Sequence, residues 1–413
     1  MLHDVRAHHH RLLLMMLAGL LLISTASVFA QDTGVIFPPL SGDYSVGRTM
    51  RVITDTARGE LFTVDELDYR TLPLTIYYPA QPNTDAVNGV YAAPEQINAM
   101  AMAMDLPTFL FDGLHPNFYA EAAPLPQAGG YPVVLMMPGL GTPVLFYSSL
   151  LEQIASHGYV VVAVDPVYSS GVSYFPDGTT VVGDPEGVNV AEDEPRTRIF
   201  NMWRDDAIAT LDALTEINAD DEVLAGLFNL EQVGMFGHSF GGAVSAQVAN
   251  DDRRVVAAIN MDGSMWGSAA EEGVSDPFML MLSEETSVID TSAVSDAQLA
   301  AAGMTREDLE RSTQEVVEMW RGVITQSANA RVFVLTGSVH FSYATDSVLV
   351  RDLAPDIIPE TMVGSIPGGR ITQVISDYAV AFFDAYVKGR DVSPLLNAPS
   401  EDYPEVVGWS LME

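Results

Sequence analysis

The sequence of 413 residues contains no cysteine. A disulfide framework, a thiolate metal site and a cysteine nucleophile are therefore all closed to it. Lysine is nearly as scarce: Lys388 is the only one, and Lys plus Arg number 19 against 55 Asp plus Glu. The resulting formal charge of −36 repels phosphate backbones and anionic headgroups, which argues against nucleic-acid binding and against electrostatic docking on acidic membranes. General solubility accounts for such a surface. The apolar run Leu12 to Ile23 is too short to span a bilayer. It follows Arg6 and Arg11 and precedes Val28-Phe29-Ala30-Gln31, the layout of a cleavable signal peptide over residues 1–30. The expected mature chain starts at Gln31, secreted or periplasmic. With no cysteine to take a lipid, it is expected to have no stable membrane anchor once the leader is removed.

What is present is a core-forming composition, 48% apolar with only 18% charged residues. Internal repeats and heptads are absent, and apolar runs alternate with helical stretches over most of the length. Residues 31–413 therefore read as a single α/β domain, with a mostly parallel central sheet and helices on both faces. The expected strands are Tyr131–Met137, Tyr159–Val164, Val233–Phe236, Val255–Ile259, Phe278–Leu282 and Val332–Leu335. Their continuous apolarity suits strands covered on both faces. Leu72 to Tyr78 alternates more like an antiparallel edge strand, and Ile371 to Tyr386 carries an apolar stripe at helical spacing. Insertions are expected at about 90–128, where Ile97 to Phe118 suggests a cap, and at 284–330. In the second, Thr305-Arg306-Glu307-Asp308 resembles a helix-capping start, and Leu309, Val316 and Trp320 share a face, as in a lid or a docked surface helix. The acidic stretch Asp184 to Glu194 reads as a solvated loop.

Gly237-His238-Ser239-Phe240-Gly241 fits G-x-S-x-G, where small residues let a strand turn sharply into a helix and present the serine. An apolar strand before it and Gly242-Ala243 after it supply the context of an α/β-hydrolase elbow. A serine hydroxyl needs a base, and four histidines lie beyond the leader: His115, His157, His238 and His340. His115 falls in the expected cap, His157 at a helix end and His238 inside the elbow, each better read as packing or capping. His340 follows the strand Val332–Leu335 and lies C-terminal to the serine, where this fold carries its base. The acid belongs at another strand's carboxyl end. Asp262 satisfies this after Val255–Ile259, and Glu284 and Glu285 satisfy it equally after Phe278–Leu282. An oxyanion hole needs two backbone N–H groups; Phe240, after the nucleophile, supplies one and Leu140, in Met137-Pro138-Gly139-Leu140-Gly141, is the candidate for the other.

Several blocks resemble the platelet-activating factor acetylhydrolase family, the lipoprotein-associated phospholipase type. These are Tyr44-Ser45-Val46-Gly47, Gly139-Leu140-Gly141 followed by Ser156-His157-Gly158-Tyr159, the elbow Gly237 to Gly242, Ala258 to Asp262, and Gly337-Ser338-Val339-His340. The likeness runs from about Gly42 to Lys388. It implies Asp262 as the triad acid and calcium-independent hydrolysis of short or oxidised acyl esters, including those of glycerophospholipids, through an acyl-enzyme on Ser239. No metal or organic cofactor is implied, and the partner is a small ester or lipid substrate. Two departures bear on substrate choice: Pro138 stands where relatives often carry histidine, and Leu282 to Arg331 is longer than in the animal enzymes. A broad carboxylesterase or polyester hydrolase of the same fold is the alternative within the enzyme class. A catalytically silent hydrolase fold that binds a lipid or partner is the alternative outside it. The sequence leaves oligomeric state open.

Overall fold

The computed structural model describes residues 37–82, 88–287, 295–296, 299, 304–327, 329–397 and 399–409. The expected leader lies outside the described residues, as does most of 288–303. No helix among the described residues is long and apolar enough to cross a membrane.

In chain order the strands are β1 (Ser45–Gly59), β2 (Tyr69–Ala80), β3 (Tyr119–Ala120), β4 (Tyr131–Met137), β5 (Val160–Val164), β6 (Val172–Tyr174), β7 (Thr180–Val182), β8 (Phe228–His238), β9 (Val255–Met261), β10 (Phe278–Ser283), β11 (Arg331–Leu335) and β12 (Val406–Gly408). Ten form one sheet in the order β12-β11-β10-β9-β8-β4-β5-β2-β1-β3, while β6 and β7 form a separate hairpin. The stretch from β11 to β5 is parallel throughout. The main helices are α1 (Pro94–Met104), α2 (Ser148–Ser156), α3 (Asp193–Asp220), α4 (Phe240–Asp251), α5 (Gly267–Glu272), α6 (Arg306–Gln326), α7 (Thr345–Leu353) and α8 (Gly368–Tyr386).

The α/β-hydrolase architecture follows from the apolar runs. Every residue of β4 and β5 is buried. Val134, Met136, Val161 and Ala163 enter the core beneath α2, α7 and α8; Val133, Leu135, Val160 and Val162 enter the one beneath α3, α4 and α6. Two covered faces are why these strands show no polar alternation. The carboxyl ends of β8, β9 and β11 thereby lie along one rim of the sheet, the position at which such folds bind ligands.

Three expectations change. Leu72 to Tyr78 lies in an antiparallel strand, but β2 is interior, with Leu74 opposite Val164 of β5 on one side and Arg51 of β1 on the other. The outer half of β1 alternates part-buried and exposed positions around Thr54 and Asp55, too polar to register as a core strand. Ile97 to Phe118 does not cover the site: Met100, Leu110, Phe111 and Phe118 bury themselves in the first core, and no residue of 90–128 lines the cavity that contains Ser239. The acidic stretch is a loop to Glu192, with Asp193 and Glu194 forming the first turn of α3, where carboxylates oppose the helix dipole favourably.

α6 starts as its sequence suggests. Thr305 Oγ1 accepts from Asp308 N, and Thr305 N donates to Asp308 Oδ2 at 3.0 Å. Its buried face holds Leu309, Val316 and Trp320, and it lies against α5. A buried ion pair, Arg70 Nη2 to Asp206 Oδ2 at 2.7 Å, ties β2 to α3.

Candidate active site

β8 ends at His238 and α4 begins at Phe240, so the whole reversal falls on Ser239, at φ 54° and ψ −119°. That conformation is all but reserved for glycine. The turn closes only because its neighbours lack side chains: a Cβ on Gly241 would stand 2.3 Å from Pro138 O, and one on Gly237 2.3 Å from the Gly241 carbonyl carbon. The serine hydroxyl is thereby held clear of the backbone.

His340 opens the short 3-10 turn after β11. Its Nε2 lies 2.9 Å from Ser239 Oγ and its Nδ1 2.8 Å from Asp262 Oδ2. A carboxylate oxygen only accepts, so Nδ1 carries the hydrogen and the Nε2 lone pair faces the serine. Asp262 follows β9 at φ 57°, its side chain fully buried. Ser283 N donates to Oδ1 at 2.7 Å, and the Ser283 and Thr286 hydroxyls each stand 3.0 Å from Oδ2. These contacts fix the carboxylate's rotation. Sequence reasoning passed over Ser283 and Thr286; the available signal was a hydroxyl ending an apolar strand beside the acid's own strand.

The rival glutamates stand at the same rim but turn to backbone. Glu284 Oε2 accepts from Gly337 N at 2.5 Å, and Glu285 Oε2 accepts from His340 N at 3.2 Å. Both hold the loop that carries His340; Asp262 is the one carboxylate of the three that meets the imidazole.

Among the described residues, the backbone N–H groups of Leu140 and Phe240 donate to no protein acceptor, and both residues line the cavity beside Ser239. The Phe240 N–H also opens α4, at the positive end of the helix dipole. His115 and His157 stay outside the site: His115 O accepts from Phe37 N, and His157 caps α2 with Nε2 2.9 Å from Ser41 Oγ. His238, expected to serve in packing or capping, stands 2.7 Å from the Tyr147 hydroxyl through Nδ1 and 3.0 Å from His340 O through Nε2. Burial first, then the neighbouring His340, holds its pKa well below the ordinary histidine range.

The cavity measures about 660 Å³. Its wall includes aromatic and thioether side chains, Phe200, Phe240, Met265, Trp266, Met319 and Trp320, and the Phe240 and Trp266 rings are 5.0 Å apart. Arg196, Asn201 and Arg204 of α3 supply polar lining. No group of three or more His, Asp or Glu side chains among the described residues is arranged to hold a metal ion.

The family model for platelet-activating factor acetylhydrolase, isoform II, matches residues 29–186 and 210–388. The chain belongs to this family. Similar proteins include that of Arthroderma benhamiae named "Probable 1-alkyl-2-acetylglycerophosphocholine esterase". It is 27% identical over 278 residues, covering 67% of this chain and 66% of that protein. The platelet-activating factor acetylhydrolase of Cavia porcellus is 26% identical over 275 residues, covering 60% of each. The chain thus spans somewhat less than two thirds of these relatives' length. Among solved structures, a ferulic acid esterase from Streptomyces cinnamoneus superposes with a TM-score of 0.72 at 25% identity, over 91% of this chain and 99% of that one.

Proposed function

We propose that this chain hydrolyses carboxylic esters with a short acyl group, among them platelet-activating-factor-like or oxidised phospholipids, through an acyl-enzyme on Ser239. The observation that carries this reading is the unbroken chain from Ser239 Oγ through His340 to Asp262 at the cavity floor, beside two unengaged N–H groups. His340 Nε2 takes the hydroxyl proton as Oγ attacks the carbonyl carbon, and Asp262 stabilises the imidazolium without becoming protonated. Leu140 and Phe240 N–H groups receive the negative charge on the former carbonyl oxygen. Collapse breaks the bond to the leaving alcohol, which takes its proton from His340. Water, deprotonated by the same base, then attacks the acyl carbon and frees the acid and Ser239.

The rest of the reading is exported protein: a leader over 1–30, then one domain over 31–413 in which the 284–330 insertion roofs the cavity through α6. A second reading, aromatic esters, is favoured by one feature. The Phe200, Phe240 and Trp266 wall suits a planar ring, and the fold relative named for ferulic acid esters shares this frame.

Hydrolysis of p-nitrophenyl esters of increasing acyl length, with EDTA throughout and Ser239→Ala as control, tests the short-acyl reading, and methyl ferulate under the same control tests the aromatic one. A sharp fall beyond short chains is expected. A flat or rising profile transfers support to the broader esterase reading, and hydrolysis that survives Ser239→Ala removes the mechanism.

A further inference from the structure

The proposed chemistry uses His340 and leaves a second, deeper histidine unemployed. His238 is 1% exposed, and its ring centroid lies 4.8 Å from that of His340. Its hydrogen bonds define its state. His340 O is a carbonyl and only accepts, so Nε2 carries the hydrogen and Nδ1 is the acceptor. The Tyr147 hydroxyl therefore donates to Nδ1 at 2.7 Å, and the same hydroxyl oxygen accepts from Gly139 N at 2.9 Å. Written in order, Gly139 N–H donates to Tyr147 Oη, Tyr147 O–H to His238 Nδ1, and His238 Nε2–H to His340 O.

Every group in this chain is engaged. Protonating His238 would turn Nδ1 into a donor facing the hydroxyl that now donates to it, so the partners favour the neutral form, as burial does. The contact is also close on its outer side: a Cβ at Gly139 would stand 2.8 Å from His238 Nδ1, so the loop before Leu140 rests directly on this ring.

We propose that His238 and Tyr147 are positioning residues that tie the Gly139–Leu140 loop to the His340 loop, fixing the spacing between the oxyanion donor and the general base on either side of Ser239. This inference rests on the triad mechanism above. The two loops come from distant parts of the chain, after β4 and after β11, and the elbow histidine is the piece of backbone-anchored structure that touches both. Losing the tie lets either loop relax by a fraction of an ångström, which matters in a reaction that needs its donors and base aligned at once.

The test compares the wild type with His238→Leu, His238→Gln, Tyr147→Phe and the Tyr147→Phe/His238→Leu double variant on p-nitrophenyl acetate. Rates are normalised to the Ser239 titrated by a fluorophosphonate, so that misfolded protein is not counted. If the wild type has no Ser239-dependent activity, the triad reading fails before the comparison begins.

Given that activity, His238→Leu is expected to lower kcat per site by ~30–100-fold, with KM within about 3-fold. Tyr147→Phe is expected to lose ~10–30-fold, and the double variant no more than the worse single, because both cut one chain. His238→Gln, whose amide can still donate to His340 O, is expected to lose less than ~10-fold. A per-site kcat for His238→Leu within about 3-fold of wild type, a Gln variant as damaged as Leu, or losses that multiply in the double would each overturn the proposal. Should His238→Leu fail to fold, Tyr147→Phe carries the test alone: it deletes one buried hydroxyl, and a per-site kcat within about 3-fold of wild type then overturns the inference.

Discussion

Replacing Asp262 by asparagine exchanges one oxygen for an NH2 group in a site that allows a single orientation. Ser283 N donates to Oδ1, so the amide oxygen stays there and the new Nδ2 replaces Oδ2, facing His340 Nδ1. An NH2 donor needs a lone pair at Nδ1, which moves the imidazole hydrogen to Nε2. A hydrogen at Nε2 points at Ser239 Oγ and cannot accept the serine proton. The loss expected from this wrong tautomer is ~10⁴-fold in kcat, or about 5 kcal/mol of transition-state stabilisation at roughly 1.4 kcal/mol per tenfold. Glu284→Gln and Glu285→Gln keep an oxygen to accept from Gly337 N and His340 N, so each is expected to cost less than ~10-fold. Steady-state kinetics on p-nitrophenyl acetate, with circular dichroism to establish folding, measure all three. Asp262→Asn within tenfold of wild type, or either glutamine variant as severe as Asp262→Asn, would refute the assignment of the acid.

Met319→Ala, on the part-buried face of α6 that lines the cavity, is expected to move the acyl-length optimum to longer p-nitrophenyl esters while changing the melting temperature little; an unchanged profile would take α6 out of substrate selection. Gly241→Ala forces a methyl group within 2.3 Å of Pro138 O and is expected to lower stability by ~3 kcal/mol or more in urea unfolding, whereas wild-type stability would show that the elbow yields. Asp165 is pushed up to about 7, by burial first and against the Ser173 hydroxyl that favours its charge. Because the folded pKa stands above the unfolded one, the unfolded chain gives up this proton first. The stabilisation is whole below about pH 4 and is lost as pH rises to about 7, a change of ~2–4 kcal/mol. Asp165→Asn should therefore flatten the fall in stability between about pH 4 and pH 7, and an unaltered slope would assign that fall to other groups.

What the sequence revealed and what it concealed divide along physical lines. The parallel strands were legible because both faces are buried, so apolarity runs unbroken through Tyr131–Met137 and Phe278–Leu282. The elbow was legible because its crowding admits only glycine at Gly237 and Gly241. β1 was not, since its outer half meets solvent and reads as polar loop, and this hid the interior position of β2. Nor could linear order separate Asp262 from Glu284 and Glu285: all follow strands that end at one rim, and which carboxylate reaches the imidazole depends on side-chain direction. His238 was misjudged for a related reason, its partners Tyr147 and His340 lying 91 and 102 residues away.

Ser239 and Asp262 share a property unrelated to their chemistry, for both sit at positive φ without being glycine. Such positions each store about 1–3 kcal/mol that the surrounding fold must hold down. At Asp262 that strain is offset by the buried bonds its carboxylate accepts from Ser283 and Thr286, whereas at Ser239 selection for durability alone would favour glycine, a change that removes the proposed nucleophile. The elbow is therefore a loaded spring, and drift unconstrained by the proposed catalysis would relax it toward an inert scaffold of the same shape.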